Sequence, residues 1–111
     1  MNKYTELSDF EINKKVAEHL KLNTIACERT EIVLFDDMDA TPFDPCNNPS
    51  DAMPIIIENL ISLMADMSDD GGSTWWCASD ISNGITSRYK SNPLRAAMEV
   101  FLRIKDEENE V

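Results

Sequence analysis

The sequence predicts a small α+β fold, an α/β/α sandwich in which a short antiparallel sheet carries helices on both faces. Three observations point there. A capping box at Ser8 and two asparagine-proline junctions, Asn48-Pro49 and Asn92-Pro93, mark three helix starts. Runs of β-branched and aromatic residues, Glu31-Ile32-Val33-Leu34-Phe35 and Ser73-Thr74-Trp75-Trp76-Cys77-Ala78, fall between them. Successive residues of a strand point to opposite sides, so adjacent Trp75 and Trp76 ask for a cover on each face of the sheet.

The first helix opens at Leu7-Ser8-Asp9-Phe10-Glu11-Ile12, where Ser8 is the N-cap, Glu11 completes the box and Leu7 staples onto Ile12. Ile12, Val16, Ala17 and Leu20 form its apolar stripe, with Asn13, Lys14, Lys15 and Glu18 facing water. It ends near His19 or Leu20, where His19 suits the negative end of the helix dipole. Thr24-Ile25-Ala26-Cys27 and the run Glu31 to Phe35 then read as two short strands or one bent strand. Asp36 to Pro42 is a loop. The stretch FDPCNNPSDAMPIIIEN, Phe43 to Asn59, is the hinge of the chain: a stiff polar loop runs straight into the most apolar helix. Pro45 and Pro49 fix φ, while Asn47, Asn48, Ser50 and Asp51 are the residue types that satisfy free N–H groups at a helix start. That helix begins between Asn48 and Asp51 and buries Met53, Ile56, Ile57 and Leu60, widened by Ile55, with Pro54 in its first turn.

Ile61-Ser62-Leu63-Met64-Ala65, the turn cluster from Asp66 to Gly72 and the tryptophan strand make a hairpin. Asp80 to Ser91 reads as polar and irregular, with a turn at Asn83-Gly84 and Arg88-Tyr89-Lys90 as its basic cluster. Asn92 caps the last helix, which turns Leu94, Ala97, Met98, Phe101 and Ile104 to the core and pairs Glu99 with Arg103 across one turn. Residues 1–105 form one domain on this reading, and 106–111 an acidic tail that frays.

At 111 residues and 42% hydrophobic, the chain is long enough for its own core without disulfides or metals. Three widely spaced cysteines, Cys27, Cys46 and Cys77, suit reduced thiols. The N-terminal stretch lacks the apolar core of a signal peptide, and no run approaches the roughly 18 apolar residues of a membrane span. The expectation is a cytoplasmic protein with no membrane partner. The net charge of −11 sits in the middle: from Glu31 to Asp80 there are eleven acids and no Lys or Arg. Such a surface repels phosphates, so direct nucleic-acid binding is disfavoured unless Arg88, Lys90 and Arg95 form a patch.

No spacing of Ser, His and Asp, of Cys and His, or of metal ligands stands out, so the chain is read as no enzyme, with no cofactor and no metal site. An EF-hand begun at Asp37 would have Pro42 where Gly is required and Asn48 where the bidentate Glu belongs. Cys46 lies between two prolines but far in sequence from His19, the only histidine, and nothing nearby would lower its pKa.

The start TELSDFEINKKVAE, the centre FDPCNNPSDAMPIIIEN, the tryptophan strand and the close NPLRAAMEVFL together resemble the NinX proteins of lambdoid bacteriophages. More loosely they resemble phage "ABA sandwich" domains. The resemblance covers most of the chain in order, and it implies a small α+β sandwich encoded by a phage or prophage. It implies no reaction from which site residues could be carried over. Together with the acidic centre it suggests an accessory protein that binds a host protein through Asp36, Asp37, Asp39, Asp69 and Asp70, in one form as a mimic of a phosphate backbone. The alternative is a binder that sequesters a nucleotide-like molecule. There Asn47, Asn48 and Ser50 would bond base or sugar, Trp75 would stack, and Arg88, Lys90 or Arg95 would pair with phosphate. A homodimer is the economical cover for an open sheet edge or an exposed tryptophan.

Overall fold

The structure, a computed structural model, describes residues 3–89 and 91–109. The elements run α1 (Asp9–His19), β1 (Thr24–Cys27), β2 (Ile32–Phe35), α2 (Pro49–Glu58), β3 (Ser62–Met67), β4 (Thr74–Ser79), β5 (Thr86–Tyr89) and α3 (Pro93–Asn109). This is the small α+β fold the sequence predicts. Its strands divide into two antiparallel sheets, β1-β2 and β3-β4-β5. The division has a local cause: the chain leaving β2 folds back along it, Phe35 N–H bonding Thr41 O at 2.9 Å and Phe43 N–H bonding Val33 O at 2.8 Å. Those bonds occupy the edge of β2 that another strand would need.

α3 is the centre. It packs on all three strands of the larger sheet and also against α1 and α2, while α1 touches β2. The layers are therefore the three-stranded sheet, then α3, then α1 and α2 with the β1-β2 hairpin beside α1. Arg95 through Leu102 are all buried, so the first half of α3 has no solvent face. A helix surrounded in this way needs small residues where neighbours come close, and Ala96 and Ala97 supply them at 0% exposure.

The start of α1 carries the predicted capping box: Glu11 N–H donates to Ser8 Oγ at 3.1 Å, and Ser8 N–H to Glu11 Oε1 at 3.3 Å. α2 begins at Pro49 with Asn48 as N-cap. Both helices stop in the same way. Lys21 and Leu60 adopt left-handed φ values of 57° and 55°. Leu22 N–H then reaches back to Ala17 O and Ile61 N–H to Ile56 O, each at 3.0 Å. Glycine ordinarily fills that position, and here it does not.

Four expectations need correction. The buried face of α2 is Ala52, Ile55 and Ile56, whereas Met53, Ile57 and Leu60 are 38%, 66% and 60% exposed. Periodicity alone could not choose between these stripes in a run of consecutive isoleucines. Pro54 lies in the second turn, and burial of the Ala52 face offsets the bond it removes. The stretch after Asp80 contains β5, an edge strand whose polar residues gave no apolar run to read. Finally, α3 continues to Asn109, because Asp106 accepts the Tyr4 hydroxyl and pairs with Lys3 at 3.2 Å, so residues 106–109 are helix and not a frayed tail. Lys90 lies outside the described residues.

Truncating Ile56 to Ala should cost about 2–5 kcal/mol of unfolding free energy, because it opens a cavity at the α2–α3 contact. Ile57→Ala should stay within about 0.5 kcal/mol of the parent. Urea denaturation of both variants tests which stripe faces the core; equal losses would reject the assignment.

Candidate functional site

The densest polar constellation joins the starts of α1 and α3 to the loop 44–48. Asp44 O accepts the N–H groups of Asn47 and Asn48 at 3.0 and 2.7 Å, which curls the loop into the α2 cap, and Asp51 Oδ2 holds the Asp44 N–H at 2.9 Å. Asn13 sits on α1 inside the apolar stripe and is buried, not solvated as its position suggested. Its amide makes both of its bonds to the loop, donating to Asp44 Oδ1 at 2.7 Å and accepting the Cys46 N–H at 3.1 Å. Asn92, beside the α3 start, donates to Cys46 O at 2.7 Å while its own oxygen accepts Leu94 and Arg95 N–H.

Arg95 lies beneath this loop, 2% exposed. Its Nε donates to Glu99 Oε2 at 2.8 Å and its Nη1 to Asp9 Oδ1 at 2.6 Å. Nη2 donates to two carbonyls, Tyr4 O at 2.9 Å and Leu7 O at 2.7 Å. Burial alone would pull the guanidinium's pKa down, but the bonds to Asp9 and Glu99 outweigh it and the net shift is upward. Glu99, 1% exposed, also accepts the Ser87 hydroxyl of β5 at 2.9 Å. Its expected pairing with Arg103 is replaced by these bonds, and Arg103 instead donates to Thr86 O.

Beside the junction opens a cleft of about 270 Å³ whose lining includes Asp9, Asn13, Glu31, Phe43, Asp44 and Asn47. Asp9, Asn13, Asp44 and Asn47 are spent on one another or on the loop: Asn47 Nδ2 donates to Asp9 Oδ2 at 3.1 Å and to Asp44, and Asn13 to Asp44. Cys46, the nearest thiol, is fully buried; burial pushes its pKa up and the Asp9 charge adds to this. His19 is at the other end of α1, about 15 Å along the axis from Asp9, with its ring edge-on to Phe101. A thiol held neutral and distant from an imidazole lacks the arrangement of an activated nucleophile. Among the described residues, no cluster of three or more His, Cys, Asp or Glu could hold a metal ion.

The described residues assigned to a ligand fall in two places, the 44–48 junction and the larger sheet. Asn48 caps α2 by accepting the Ser50 N–H at 3.0 Å, and Asn47 and Arg95 meet on opposite oxygens of Asp9. Trp75 is on β4, and Arg88 is on β5 opposite Cys77. The acidic residues are placed differently: Asp36, Asp37 and Asp39 follow β2, Asp69 and Asp70 form the β3–β4 turn, and all five are exposed. Asp37 Oδ1 accepts the N–H groups of Asp39 and Ala40 at 3.0 and 2.8 Å. Asp70 Oδ1 accepts the Ser68 hydroxyl and the Gly72 N–H at 2.6 and 2.8 Å. One carboxylate thus shapes each loop. Asp36, Asp39 and Asp69 make no side-chain hydrogen bond among the described residues.

A second cleft, about 340 Å³, lies at the far end of the larger sheet, lined by Ala65, Asp66, Met67, Thr74, both tryptophans and Ser91. Sequence reasoning identified the tryptophans but not this cleft, which lies where the chain leaves β5 for the start of α3. No helix of the described residues is long and apolar enough to cross a membrane.

A family model described as Bacteriophage P22, NinX matches residues 3–105. No curated protein and no solved structure matches the chain.

Replacing Arg95 by Leu strands Glu99 without its buried partner and should cost about 3–5 kcal/mol. The double variant Arg95→Leu, Glu99→Leu should be closer to the parent, as measured by urea unfolding; a double loss equal to the sum of the singles would show that the pair is not coupled. At Asp70, the hydroxyl of Ser68 and then the N–H of Gly72 hold the carboxyl below its ordinary 3.8. A depressed carboxylate stabilises the folded turn above the ordinary value and loses that contribution as pH falls through the lower folded one. A carbon-detected NMR titration should therefore find Asp70 ionising below 3.8, and its midpoint should rise toward that value in Ser68→Ala, Gly72→Pro.

Proposed function

This chain belongs to the bacteriophage P22 NinX family, and on that premise we propose that it is a non-catalytic phage accessory protein that acts by binding a host protein in the host cytoplasm. The contact is made by Asp36, Asp37, Asp39, Asp69 and Asp70, in a counter-defence or host-takeover role. One observation carries the reading. The polar groups clustered at the 44–48 junction bond one another, whereas the carboxylates of two preformed loops face solvent.

Loops already shaped by Asp37 and Asp70 lose little conformational freedom on docking, and a field of carboxylates with no intervening base attracts a basic surface over a Debye length. The fit is to a partner whose own site is positive, including one that ordinarily holds a nucleic-acid backbone.

Tagged protein recovered from phage-infected cells should bring down a host protein that is absent from the capture with a variant carrying Asn at all five positions. Raising the salt should release it, since the Debye length falls from about 10 Å at 0.1 M to about 3 Å at 1 M. A variant that melts like the parent and captures the same protein equally well would remove these residues from the interface. Capture of no host protein by the parent would sink the function itself.

A further inference from the structure

β3 is the unguarded edge of the larger sheet. The strand order β3-β4-β5 leaves its outer side without a neighbour among the described strands. Ser68 N–H donates to Ser73 O at 2.8 Å, one step beyond the Met67↔Thr74 pair. Hydrogen-bonded and non-bonded pairs alternate along an antiparallel ladder, so the N–H and C=O groups of Leu63, Ala65 and Met67 point away from β4. Asp66 Oδ1 takes the Met67 N–H at 2.8 Å, which leaves Leu63 and Ala65 as the outward rungs. The opposite edge is managed otherwise: Asp80 N–H donates to Ile85 O at 3.0 Å, which turns the Thr86 carbonyl outward, and Arg103 occupies it. No Lys, Arg or Pro protects β3, whose sequence is SLMADM.

The same edge borders the tryptophan cleft. Cross-strand partners share a face, so Leu63, Ala65, Met67, Thr74, Trp76, Ala78 and Ser87 lie on one side of the sheet. Ser87 bonds Glu99 of α3, which makes this the helix-covered side. Cover ends before Trp76, which is 37% exposed, and Met67 is 62% exposed. Opposite Trp76 stands Ala65, the smallest side chain of β3. A strand added outside β3 would lie about 10 Å from β4, and a long side chain on it would cross the low Ala65 to the Trp76 ring. Acids border the site among the described residues: Asp66 lines the cleft, Asp69 and Asp70 form the turn of the same hairpin, and neither β3 nor that turn carries a base in its sequence.

We infer that the β3 edge receives an extended segment of a basic partner protein, with an arginine of that segment stacked on Trp76. The inference rests on the protein-binding reading above and names the chemistry of the partner. A planar guanidinium suits both halves of the site, stacking on indole while its charge meets the Asp69 and Asp70 turn and the Asp66 carboxylate, which reaches the outer edge of β3 to accept the Met67 N–H. Backbone pairing to Leu63 and Ala65 supplies the rest of the recognition. A second copy of this chain fits less well, because its own β3 and the turn that follows it carry acids and no Lys or Arg to meet the site.

The probe is a blocked peptide of alternating threonine and valine with a central arginine, titrated into labelled protein and followed by NMR. Amide signals of Leu63 and Ala65 and the Trp76 indole signal should shift together and saturate. The citrulline counterpart, which has the same shape without charge, should bind roughly tenfold more weakly, as should the arginine peptide to Trp76→Leu. Asp66→Asn provides a second variant on an exposed position, with a smaller loss in the same direction. Equal affinity for arginine and citrulline peptides, or shifts that avoid Leu63 and Ala65, would overturn the inference. So would a concentration-dependent doubling of mass by light scattering with shifts at these amides in peptide-free protein, which would assign the edge to a second copy. Capture of a host protein that is lost with the five asparagines but unchanged with Trp76→Leu and Asp66→Asn would overturn this inference alone and leave the broader function standing.

Discussion

The fold depends on one buried cation. Arg95 takes a carboxylate from α1, a carboxylate from its own helix and two carbonyls from the turn before α1, so a single side chain fixes how the first helix crosses the last. A charge removed from water is costly, and the pair recovers that cost only when the remaining donors and lone pairs are also used. Here they are: Glu99 reaches on to Ser87 in the sheet, Asp9 to Asn47 in the loop. The network therefore spans three layers and specifies one arrangement of them. Apolar packing alone around Ala96 and Ala97 would tolerate neighbouring registers of α3 more readily than this set of directional bonds does.

That network explains what could and could not be read in the chain. The helix starts were legible because caps are local: Ser8 with Glu11, Asn48 before Pro49 and Asn92 before Pro93 each satisfy bonds within a few residues. The hairpin around Asp66 to Gly72 was legible for the same reason. Arg95 was misplaced as a surface cation because its partners, Asp9 and Leu7, are more than eighty positions away, and a lone arginine carries no mark of burial. Asn13 did carry one, a polar residue among Ile12, Val16 and Ala17, yet its meaning needed Asp44 and Cys46. The division into two sheets was likewise hidden, since it follows from where Thr41 and Phe43 fold back on β2.

Of the candidate site, the acidic residues were identified from composition, and their exposure agrees with it, but composition did not separate their roles. Asp37, Asp70 and Asp80 each accept backbone N–H groups of their own turns, and at Asp80 the Ile85 N–H, then the Ser82 hydroxyl, lower the carboxyl's pKa. These three spend their charge on shape. Asp36, Asp39 and Asp69 ride on the loops so formed, and their cost is only mutual repulsion through solvent.

The exposed apolar groups follow a pattern that charge alone does not explain. Met53, Ile57 and Leu60 are spaced to share one side of α2, and Leu60 holds a left-handed backbone that glycine would adopt without strain. On the larger sheet, Trp76 and Met67 lie exposed at the end of the sheet where α3 begins. A chain of net charge −11 keeps such groups soluble because like-charged copies repel one another at the approach distances where apolar faces would meet. The same repulsion vanishes against a basic surface. If the partner is basic, as proposed, negative charge and exposed apolar area act together as a filter that disfavours a twin and favours a partner of opposite sign at the sheet edge.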